Sequence, residues 1–216
     1  MVMIYSFHSN KKKVYLYKRK SLQKKIIIGI TGASGSLYAQ KLLALLHEYR
    51  SQVQEIAIVF TEDGKNVWKY ELGDLPEELP GIVYDNADFF APVASGSAGY
   101  DTMIVCPCSM GTLSRIATGT ADNLIARAAD VMLKERRKLI LVTRETPLSL
   151  IHIRNMETLT LAGGIVMPAS PGFYNKPAGI DEMAEDLMLH VLELAGLEVK
   201  RKRWGNTIES KPIHRK

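Results

Sequence analysis

A chain of 216 residues with 46% hydrophobic and 24% charged side chains is long enough for one folded α/β domain, and no apolar run reaches the length of a membrane span. The net charge of +5 comes from the ends: residues 1–25 carry eight Lys/Arg and no acid, residues 200–216 carry seven Lys/Arg and one acid, and residues 26–199 carry −9. We therefore expect an acidic domain at 26–199 between a basic, flexible extension at 1–25 and a basic tail at 200–216, with neither nucleic acid nor membrane as a partner.

Short apolar segments alternate with helical patterns along the central part of the chain. Strands are predicted at 26–30, 56–60, 102–105, 139–143 and 165–168, with a short one near 82–84 inside the loop-like stretch 73–98. Helices are predicted at 36–48, after 61–63, after 109, and at 122–137, 153–163 and 181–196. Continuous apolar strands between helices predict a mainly parallel sheet with helices on both faces, a three-layer α/β fold.

The chemically interesting residues directly follow the predicted strands. The stretches at the strand ends read TGASGS, TED, CPCSMGT, TRETP and PASPGFY. Because parallel strands end at the same edge of a sheet, and ligands of open α/β sheets bind at that edge, these stretches are predicted to form one site.

The first stretch is glycine-rich but matches no nucleotide-binding motif. Gly29, Gly32 and Gly35 are spaced three apart, unlike the dinucleotide fingerprint or a P-loop, which disfavours a dehydrogenase. A small loop that opens a helix exposes backbone N–H groups to a phosphate, and Ser34 adds a hydroxyl. A tight turn that requires glycine is an equally good interpretation.

Two cysteines flank Pro107 in the third stretch. Cys106 and Cys108 have no histidine nearby in the sequence and only one residue between them, which disfavours a metal site and a redox pair and favours buried strand-end packing. Small and hydroxylated residues then enter a helix: Ser109, Met110, Gly111, Thr112 and Ser114. Their amides and hydroxyls suit a phosphate or the polar rim of a heterocycle.

Two charged pairs allow two interpretations each. Arg127 and Lys134 share a helix face with Asp130 between them, which by itself favours a ladder of surface ion pairs over a cationic wall for a phosphate. Arg144 and Glu145 follow a predicted strand, where they serve either as a phosphate ligand and a proton-handling group or as a structural ion pair.

The last strand and the last helix contribute one tyrosine and one histidine. Tyr174, in the proline-bounded loop PASPGFYNKP, either stacks on a ligand or covers the core, and His190, at the margin of an apolar helix stripe, is more typical of a structural histidine than a catalytic one. The chain has no Ser–His–Asp order, metalloprotease motif or acidic metal cluster in its sequence. The pattern predicts a site that binds phosphates and a planar ring without a metal.

The motifs together resemble those of the UbiX/Pad1 family of flavin prenyltransferases, within the homo-oligomeric flavin-containing decarboxylase-like flavoproteins. The resemblance covers roughly residues 26–205 and rests on TGASG, APVASGS, CPCSMGTLSRIATG, NLIARAADVMLKERR, TRETPLSLIHIRNM, PASPGFY and RWG. It implies a Rossmann-like flavoprotein fold in a homo-oligomer, often a dodecamer, with sites at subunit interfaces. It implies that reduced FMN is alkylated at N5 and C6 by dimethylallyl monophosphate without metal, and that prenylated FMN passes to a UbiD-type decarboxylase.

The resemblance also implies roles for individual residues, and it reverses the preference for a simple ion-pair ladder on the helix that carries Arg127. FMN contacts are implied for Gly32, Ala33, Ser34, Thr61, Ser109, Met110, Gly111, Thr112 and Arg144. Contacts to the prenyl phosphate are implied for Ser95, Gly96, Arg127, Lys134, Arg144, Tyr174 and His190, with Trp204 capping a pocket. Catalytic roles are implied for Ser34 near N5, for Lys134, and for Glu145 and Glu71 as acid–base or hydrogen-bonding groups.

Two features depart from the family pattern. His190 stands where many relatives carry a basic residue that contacts the phosphate, so donor affinity, or the choice between monophosphate and pyrophosphate, is expected to depend on pH near histidine's ordinary pKa of about 6.5. Residues 1–25 match nothing in the family, and their start, MVMIYSFHSNKKK, lacks a long apolar segment, so we expect a cytoplasmic protein.

Two alternative functions stay open. FMN-dependent cysteine decarboxylases share the fold and flavin binding, but they carry an Asn-containing PASANT-type loop where this chain reads CPCSMGT. A non-catalytic flavin-binding module would keep the flavin loops without the phosphate cluster of Lys134, Arg144 and Tyr174. Binding of the donor phosphate separates these functions.

Overall fold

In the computed structural model, which describes residues 23–202, six strands form one sheet in the order β3-β2-β1-β4-β5-β6, and every neighbouring pair is parallel. The strands are β1 (Lys24–Ile30), β2 (Val53–Phe60), β3 (Ile82–Tyr84), β4 (Thr102–Cys108), β5 (Lys138–Thr143) and β6 (Ile165–Pro168). The predicted parallel sheet is confirmed, and so is its short strand at 82–84.

Helices cover both faces of the sheet. They are α1 (Ser36–Glu48), α2 (Glu62–Leu72), α3 (Met110–Ala117), α4 (Leu124–Lys134), α5 (Leu150–Leu161) and α6 (Ile180–Ala195). Alternate residues of β1 point to opposite faces, so Ile26 and Ile28 belong to the core formed with α1, α2 and α6, whereas Ile27 belongs to the core formed with α3, α4 and α5. Burial on both sides explains the continuous apolar strands and confirms the three-layer Rossmann-like fold.

Several element boundaries differ from the sequence prediction, including the start of β2 at Val53 rather than 56, and three of the differences have an identifiable cause. β4 runs to Cys108 because Cys108 resumes pairing with Thr143 of β5 after an irregularity in the ladder. α4 ends at Lys134, two residues before Arg136 adopts a left-handed conformation with φ of 55°. α5 begins at Leu150 because Ser149 and the His152 side chain form a capping box.

The two cysteines lie within β4 as packing residues. Both thiols are free and fully buried, and the Cys106 sulfur lies 3.6 Å from the Met188 sulfur. Burial raises the pKa of both thiols, to about 12 for Cys108. Neither is a thiolate at neutral pH, which confirms the prediction of strand-end packing.

Some sequence predictions fall outside the described part of the chain. Trp204 and most of the two basic ends lie beyond residues 23–202, so the role expected for Trp204 stays a prediction. Between those limits, the helices are all too short or too polar to cross a membrane.

Candidate active site

The strand order places the candidate site between β1 and β4. The chain proceeds from β1 to β2 and β3 on one side of this point and from β4 to β5 and β6 on the other side. Ligands of open α/β sheets bind in the crevice that such a reversal leaves at the carboxyl ends of the strands. The TGASGS loop after β1 and the SMGT stretch after β4 flank this crevice, as the sequence predicted.

A buried threonine joins these two stretches. Thr31 is 2% exposed; its Oγ1 donates to the Pro107 carbonyl at 2.8 Å and accepts from the Ser109 N–H at 2.8 Å. Its own N–H also donates to Pro107, at 3.3 Å. No role is predicted for Thr31 from the sequence, because nothing local to TGASGS indicates a partner 76 residues away.

The first turn of α1 already holds an internal carboxylate. Glu71 of α2 accepts hydrogen bonds from the N–H of Gly35, at 3.0 Å, and of Ser36, at 2.7 Å. Burial raises the pKa of Glu71, but hydrogen bonds from Ser34, Ser36 and Gly35 outweigh burial and hold the pKa below its usual range. Glu71 therefore replaces the side-chain cap that Gly35 cannot supply, at the amides expected to face a phosphate.

Replacing Glu71 with glutamine is expected to lower the free energy of unfolding at pH 7 by roughly 0.3–1 kcal/mol, since a charge at a helix N-terminus is lost. The folded-state pKa of Glu71 is depressed, so its contribution is present above the unfolded-state pKa and lost as pH falls through the folded-state value. Urea unfolding at pH 7 and in acid should show the difference from wild type shrinking towards acid. Glu77→Gln, in the exposed loop that follows, is the matched control, and an undiminished difference would contradict this role.

Glycines let α2 pack directly against the first loop. A Cβ on Gly32 would lie 2.5 Å from the Asp63 Cβ, and a Cβ on Gly64 would lie 2.5 Å from the Ile30 carbonyl oxygen. Thr61 caps α2, because its Oγ1 accepts from the Gly64 N–H at 2.9 Å. The glycine at position 32 is thus required by a close approach of two elements rather than by a positive φ.

The start of α3 is a second capped helix end at the crevice. The Ser109 hydroxyl accepts from the Thr112 N–H at 3.3 Å and contacts the Thr112 hydroxyl at 3.2 Å. Met110 and Thr112 are buried, whereas Gly111 is exposed. Of the predicted flavin-binding residues in this stretch, Ser109, Met110 and Thr112 therefore form the start of α3. Gly111 is the one that is exposed.

Arg144 and Glu145 lie exposed at the end of β5 beside a cavity of about 290 Å³. Arg144 forms no ion pair within residues 23–202, so the interpretation of an Arg144–Glu145 pair finds no support. Its guanidinium is close enough to Tyr38 of α1 to oppose the rise in the Tyr38 pKa that burial causes. One carboxylate oxygen of Glu145 accepts from the Thr146 N–H at 2.9 Å. The Arg144 guanidinium and the Glu145 carboxylate are therefore both exposed at the carboxyl edge of the sheet.

The ASGS loop packs against α4. Arg127 donates from Nε to the Ala94 carbonyl at 3.2 Å and pairs with Asp130 at 2.9 Å. Arg127 therefore forms the surface ion pair that one interpretation predicted. Its guanidinium also lies beside the ASGS loop, which the family resemblance assigns to the donor phosphate.

The end of α4 completes this cluster. Lys134 pairs with Glu135, and Arg137 donates to the Gly96 carbonyl at 2.9 Å. A Cβ on Gly96 would lie 2.5 Å from a carboxylate oxygen of Glu135. The absence of a side chain at Gly96 therefore makes room for the Glu135 carboxylate. The predicted donor residues Ser95, Gly96, Arg127 and Lys134 are thus brought together.

Tyr174 and His190 belong to a third cluster with a residue that the sequence analysis missed. The Arg201 guanidinium donates to the Tyr174 hydroxyl at 3.2 Å and pairs with Glu193 at 3.1 Å. Burial, and then the charge of Arg201, lower the pKa of His190 against the opposing effects of Glu193 and Asp186. The pH dependence expected near 6.5 must therefore be corrected to a lower pH.

The residues at the switch point fit FMN. Ala33 leaves little side chain beside β1, the Ser34 hydroxyl is exposed, and a Cβ on Gly111 would meet only the Arg115 side chain, at 3.4 Å, whereas the space beside Gly32 is filled by Asp63. Arg144 adds a guanidinium without an ion-pair partner between residues 23 and 202. Small residues that admit a flat ring, with hydroxyl, amide and guanidinium donors around them, match the polar rim and phosphate of a flavin nucleotide. No three His, Cys, Asp or Glu side chains of the described part lie together as metal ligands.

The chain is similar to known flavoproteins. The family model described as Flavoprotein matches residues 14–189, which defines the class: an α/β flavoprotein. Flavin prenyltransferase UbiX of Methanothermobacter thermautotrophicus is 45% identical over 178 residues, which cover 81% of this chain and 92% of that relative. The chain belongs to the UbiX family of flavin prenyltransferases.

Solved structures agree with this assignment. AnUbiX (PadA1), in complex with FMN and dimethylallyl pyrophosphate, is 39% identical with a TM-score of 0.74 and covers 84% of this chain and 99% of its own. The dodecameric FMN-dependent UbiX-like decarboxylase of Escherichia coli O157:H7 is 39% identical with a TM-score of 0.75 and covers 83% and 98%. The peptidyl-cysteine decarboxylase EpiD, at 18% identity and a TM-score of 0.54 over 81% and 99%, shares the fold alone.

Proposed function

We propose that the protein transfers the dimethylallyl group of dimethylallyl monophosphate to N5 and C6 of reduced FMN and releases phosphate and prenylated FMN. The observation that carries the proposal is the exposed Arg144–Glu145 pair of residues beside the small-residue crevice, in a chain of the UbiX family. FMN supplies the nucleophilic N5 and C6 atoms. The protein supplies the binding, the orientation and the charge.

Cationic side chains would hold the leaving phosphate. When the C–O bond of the donor breaks, the phosphate leaves with the electron pair, and nearby cations lower the cost of the developing charge. Arg144, at the carboxyl end of β5, is exposed for this role. Lys134 lies beside Gly96 near the amino end of β5, at the opposite edge of the sheet, and Arg127 contacts Ala94 of the same loop. In the proposed homo-oligomer, Lys134 and Arg127 would therefore reach the phosphate in the site of a neighbouring subunit. Before the donor binds, Glu135 and Asp130 neutralise these two cations, so phosphate must compete with an internal carboxylate for each.

Glu145 would handle protons. Closing a ring between an alkene and an aromatic carbon adds one proton to the alkene and removes one from C6, so a carboxylate that accepts and returns a proton is suited to the task. Glu145 lies at the cavity beside Arg144, with one oxygen on the Thr146 N–H. Glu71 would instead position Ser34 and the α1 turn, because its oxygens already accept three hydrogen bonds from that loop.

We also propose that the chain forms a homo-oligomer, with a dodecamer as the expected form, and passes its product to a UbiD-type decarboxylase. Apolar side chains of α5 and the loop before it are exposed: Leu148, Leu150, Ile151, Ile153 and Leu161. Such a surface next to Arg144 and Glu145 is typical of a subunit contact beside a site. The buried free thiols Cys106 and Cys108 are compatible with the proposed cytoplasmic location.

An anaerobic mass measurement tests the proposed reaction. Purified protein is mixed with reduced FMN and dimethylallyl monophosphate, and the extracted flavin is weighed by mass spectrometry, with a donor-free sample as control. A flavin heavier by one C5 prenyl unit is expected. Bound but unmodified FMN with both the monophosphate and the pyrophosphate would contradict the proposal and favour a non-catalytic flavin-binding module.

A further inference from the structure

The loop between Val93 and Tyr100 has apolar anchors only at its two ends. Val93 and Tyr100 are 0% and 2% exposed, but residues 95–99, which read SGSAG, bury no side chain. Serine, alanine and glycine are too small to fix a loop by packing, and glycine adds backbone freedom. Contacts to the backbone of this segment therefore decide its conformation.

Basic side chains supply such contacts. Three of them, from three parts of the fold, donate to alternate carbonyls of the loop: Arg127 to Ala94 at 3.2 Å, Arg137 to Gly96 at 2.9 Å and Lys25 to Ala98 at 3.3 Å. Hydrogen bonds from charged donors are stronger than those between neutral groups, so each of them restrains one peptide plane. Ser95 and Ser97 lie between these carbonyls and are exposed. The protein thus holds the carbonyls of the loop and leaves its hydroxyl groups accessible.

Lys25 is itself held in place. Its ammonium group pairs with Glu55 at 2.8 Å and lies 5.5 Å from the centre of the Tyr100 ring. The Tyr100 hydroxyl donates to Glu55 at 2.5 Å. Hydrogen bonds from Lys25 and Tyr100 hold the pKa of Glu55 below its usual range, so the carboxylate is charged at neutral pH. Lys25 therefore contacts Ala98 from an ordered position.

Arg137 differs from the nearby Lys134 in exposure and in contacts. The Lys134 side chain is 48% exposed, whereas that of Arg137 is 27% exposed and has one terminal nitrogen on the Gly96 carbonyl. Glu135 pairs with Lys134, and its other carboxylate oxygen lies 3.9 Å from Arg137. Lys134 is therefore the more accessible of the two cations, and Arg137 is directed at the loop.

We propose that Arg137 is a positioning residue of the donor site: with Lys25, it holds the loop in the conformation in which Ser95 and Gly96 meet the donor phosphate. The inference rests on the proposed function, which assigns Ser95 and Gly96 to that phosphate. The loop directly precedes β4, at the amino edge of the sheet, so the site that it serves is that of a neighbouring subunit in the proposed homo-oligomer. Arg137 acts through the loop and does not itself touch the donor.

Hydrogen exchange tests whether Arg137 holds the loop. Arg137→Met keeps the alkyl stem but removes the donor, and the amides of residues 95–99 are expected to exchange about threefold faster or more, measured by mass spectrometry on the full chain. Arg137→Lys keeps a charged donor and should restore most of the wild-type protection. Arg136→Met is the matched control, because it removes the same charge from an exposed side chain one position away. Unchanged exchange in Arg137→Met, or an equal increase in Arg136→Met, would overturn the inference.

Donor binding tests whether the conformation of the loop matters to the site. Dimethylallyl monophosphate is titrated by calorimetry into the full chain loaded with oxidised FMN, whose N5 is not nucleophilic, so that no transfer occurs. Arg137→Met is expected to raise the donor Kd about fivefold or more and to leave the Kd of FMN within about twofold of wild type. Arg137→Lys and Arg136→Met should bind the donor nearly as wild type does. A donor Kd for Arg137→Met within about twofold of wild type, or a parallel loss of FMN binding, contradicts the positioning role.

A double-mutant cycle with Ser95→Ala separates positioning from direct contact. If Arg137 acts through the loop, Ser95→Ala removes part of what Arg137 positions. The effect of Arg137→Met on the donor Kd should therefore be at least about threefold smaller in the Ser95→Ala background. The same fold-change in both backgrounds would show that Arg137 acts independently of Ser95, as a direct phosphate ligand does, and the inference would be wrong.

The wild type separates this inference from the proposed function. If the wild type binds neither dimethylallyl monophosphate nor the pyrophosphate, the proposed function fails and the inference fails with it. If the wild type binds the donor and Arg137→Met binds it equally well, the proposed function stands and only the inference fails.

Discussion

Thr31→Val is expected to lower the free energy of unfolding by about 1–3 kcal/mol, because it leaves the Ser109 N–H without its hydroxyl acceptor. The Pro107 carbonyl loses the hydroxyl but still accepts from the N–H of residue 31. The hydroxyl contacts both groups at 2.8 Å and is the direct link between the loops after β1 and β4. Because both loops are proposed to contact FMN, the Kd of FMN should rise as well. Urea unfolding and a fluorescence titration with FMN measure the two effects.

Thr31→Ser is the control for this change. Serine keeps the hydroxyl and removes only a methyl group, so a loss of about 1 kcal/mol and near-normal FMN binding are expected. A valine variant as stable as the serine variant would show that Thr31 acts by packing alone. A valine variant that is destabilised but binds FMN normally would show that the link between the loops does not shape the flavin site.

The sequence predicted the layers of this fold because the relevant signals are local. Each strand is an apolar run such as 26–30, and each helix follows with its own stripe and cap. One boundary was wrong because a distant partner decides it: Cys108 extends β4 because it meets Thr143, which lies in another strand. The end of α4 and the start of α5 instead depend on the conformation of Arg136 and on the Ser149 capping box. Pairing between strands adds residues that propensity alone would leave in a loop.

The sequence predicted where the stretches of the candidate site lie in the fold but not the contacts between them. The stretches follow the strands, so a parallel sheet gathers them at one edge whatever else the chain does. Thr31 and Arg201 were missed, since their partners lie far along the chain at 107–109 and at Tyr174 and Glu193. Arg201 lies in a stretch whose composition indicated only a basic tail, and its burial against α6 could not be read from that composition.

The effect of a histidine at position 190, in place of a basic residue, depends on the neighbouring Arg201. From the sequence, His190 indicated a loss of positive charge and a pH dependence near its ordinary pKa. In the fold, a second basic residue lies close enough to His190 to lower its pKa. The positive charge around position 190 is therefore a property of the pair His190 and Arg201, and neither residue predicts it alone.

Glu145→Gln is expected to slow prenyl transfer by about 10²- to 10⁴-fold, the usual contribution of a positioned acid–base group. Glutamine has the same shape and can still accept from the Thr146 N–H, which Glu145 does at 2.9 Å, so the loop should keep its conformation. The Kd values of FMN and of the donor should stay within about threefold, because the cations proposed to hold the phosphate are unchanged. Anaerobic single-turnover reactions, quenched and weighed by mass spectrometry, give the rate.

Glu157→Gln, an exposed carboxylate on α5, is the control and should react at the wild-type rate. The decisive comparison is between rate and affinity. A slow Glu145→Gln variant with normal Kd values assigns Glu145 to the proton steps, since those steps begin only after both substrates are bound. A variant that reacts at the wild-type rate would remove Glu145 from the mechanism, and one that is slow only because the donor binds weakly would assign Glu145 to holding the loop that presents Arg144.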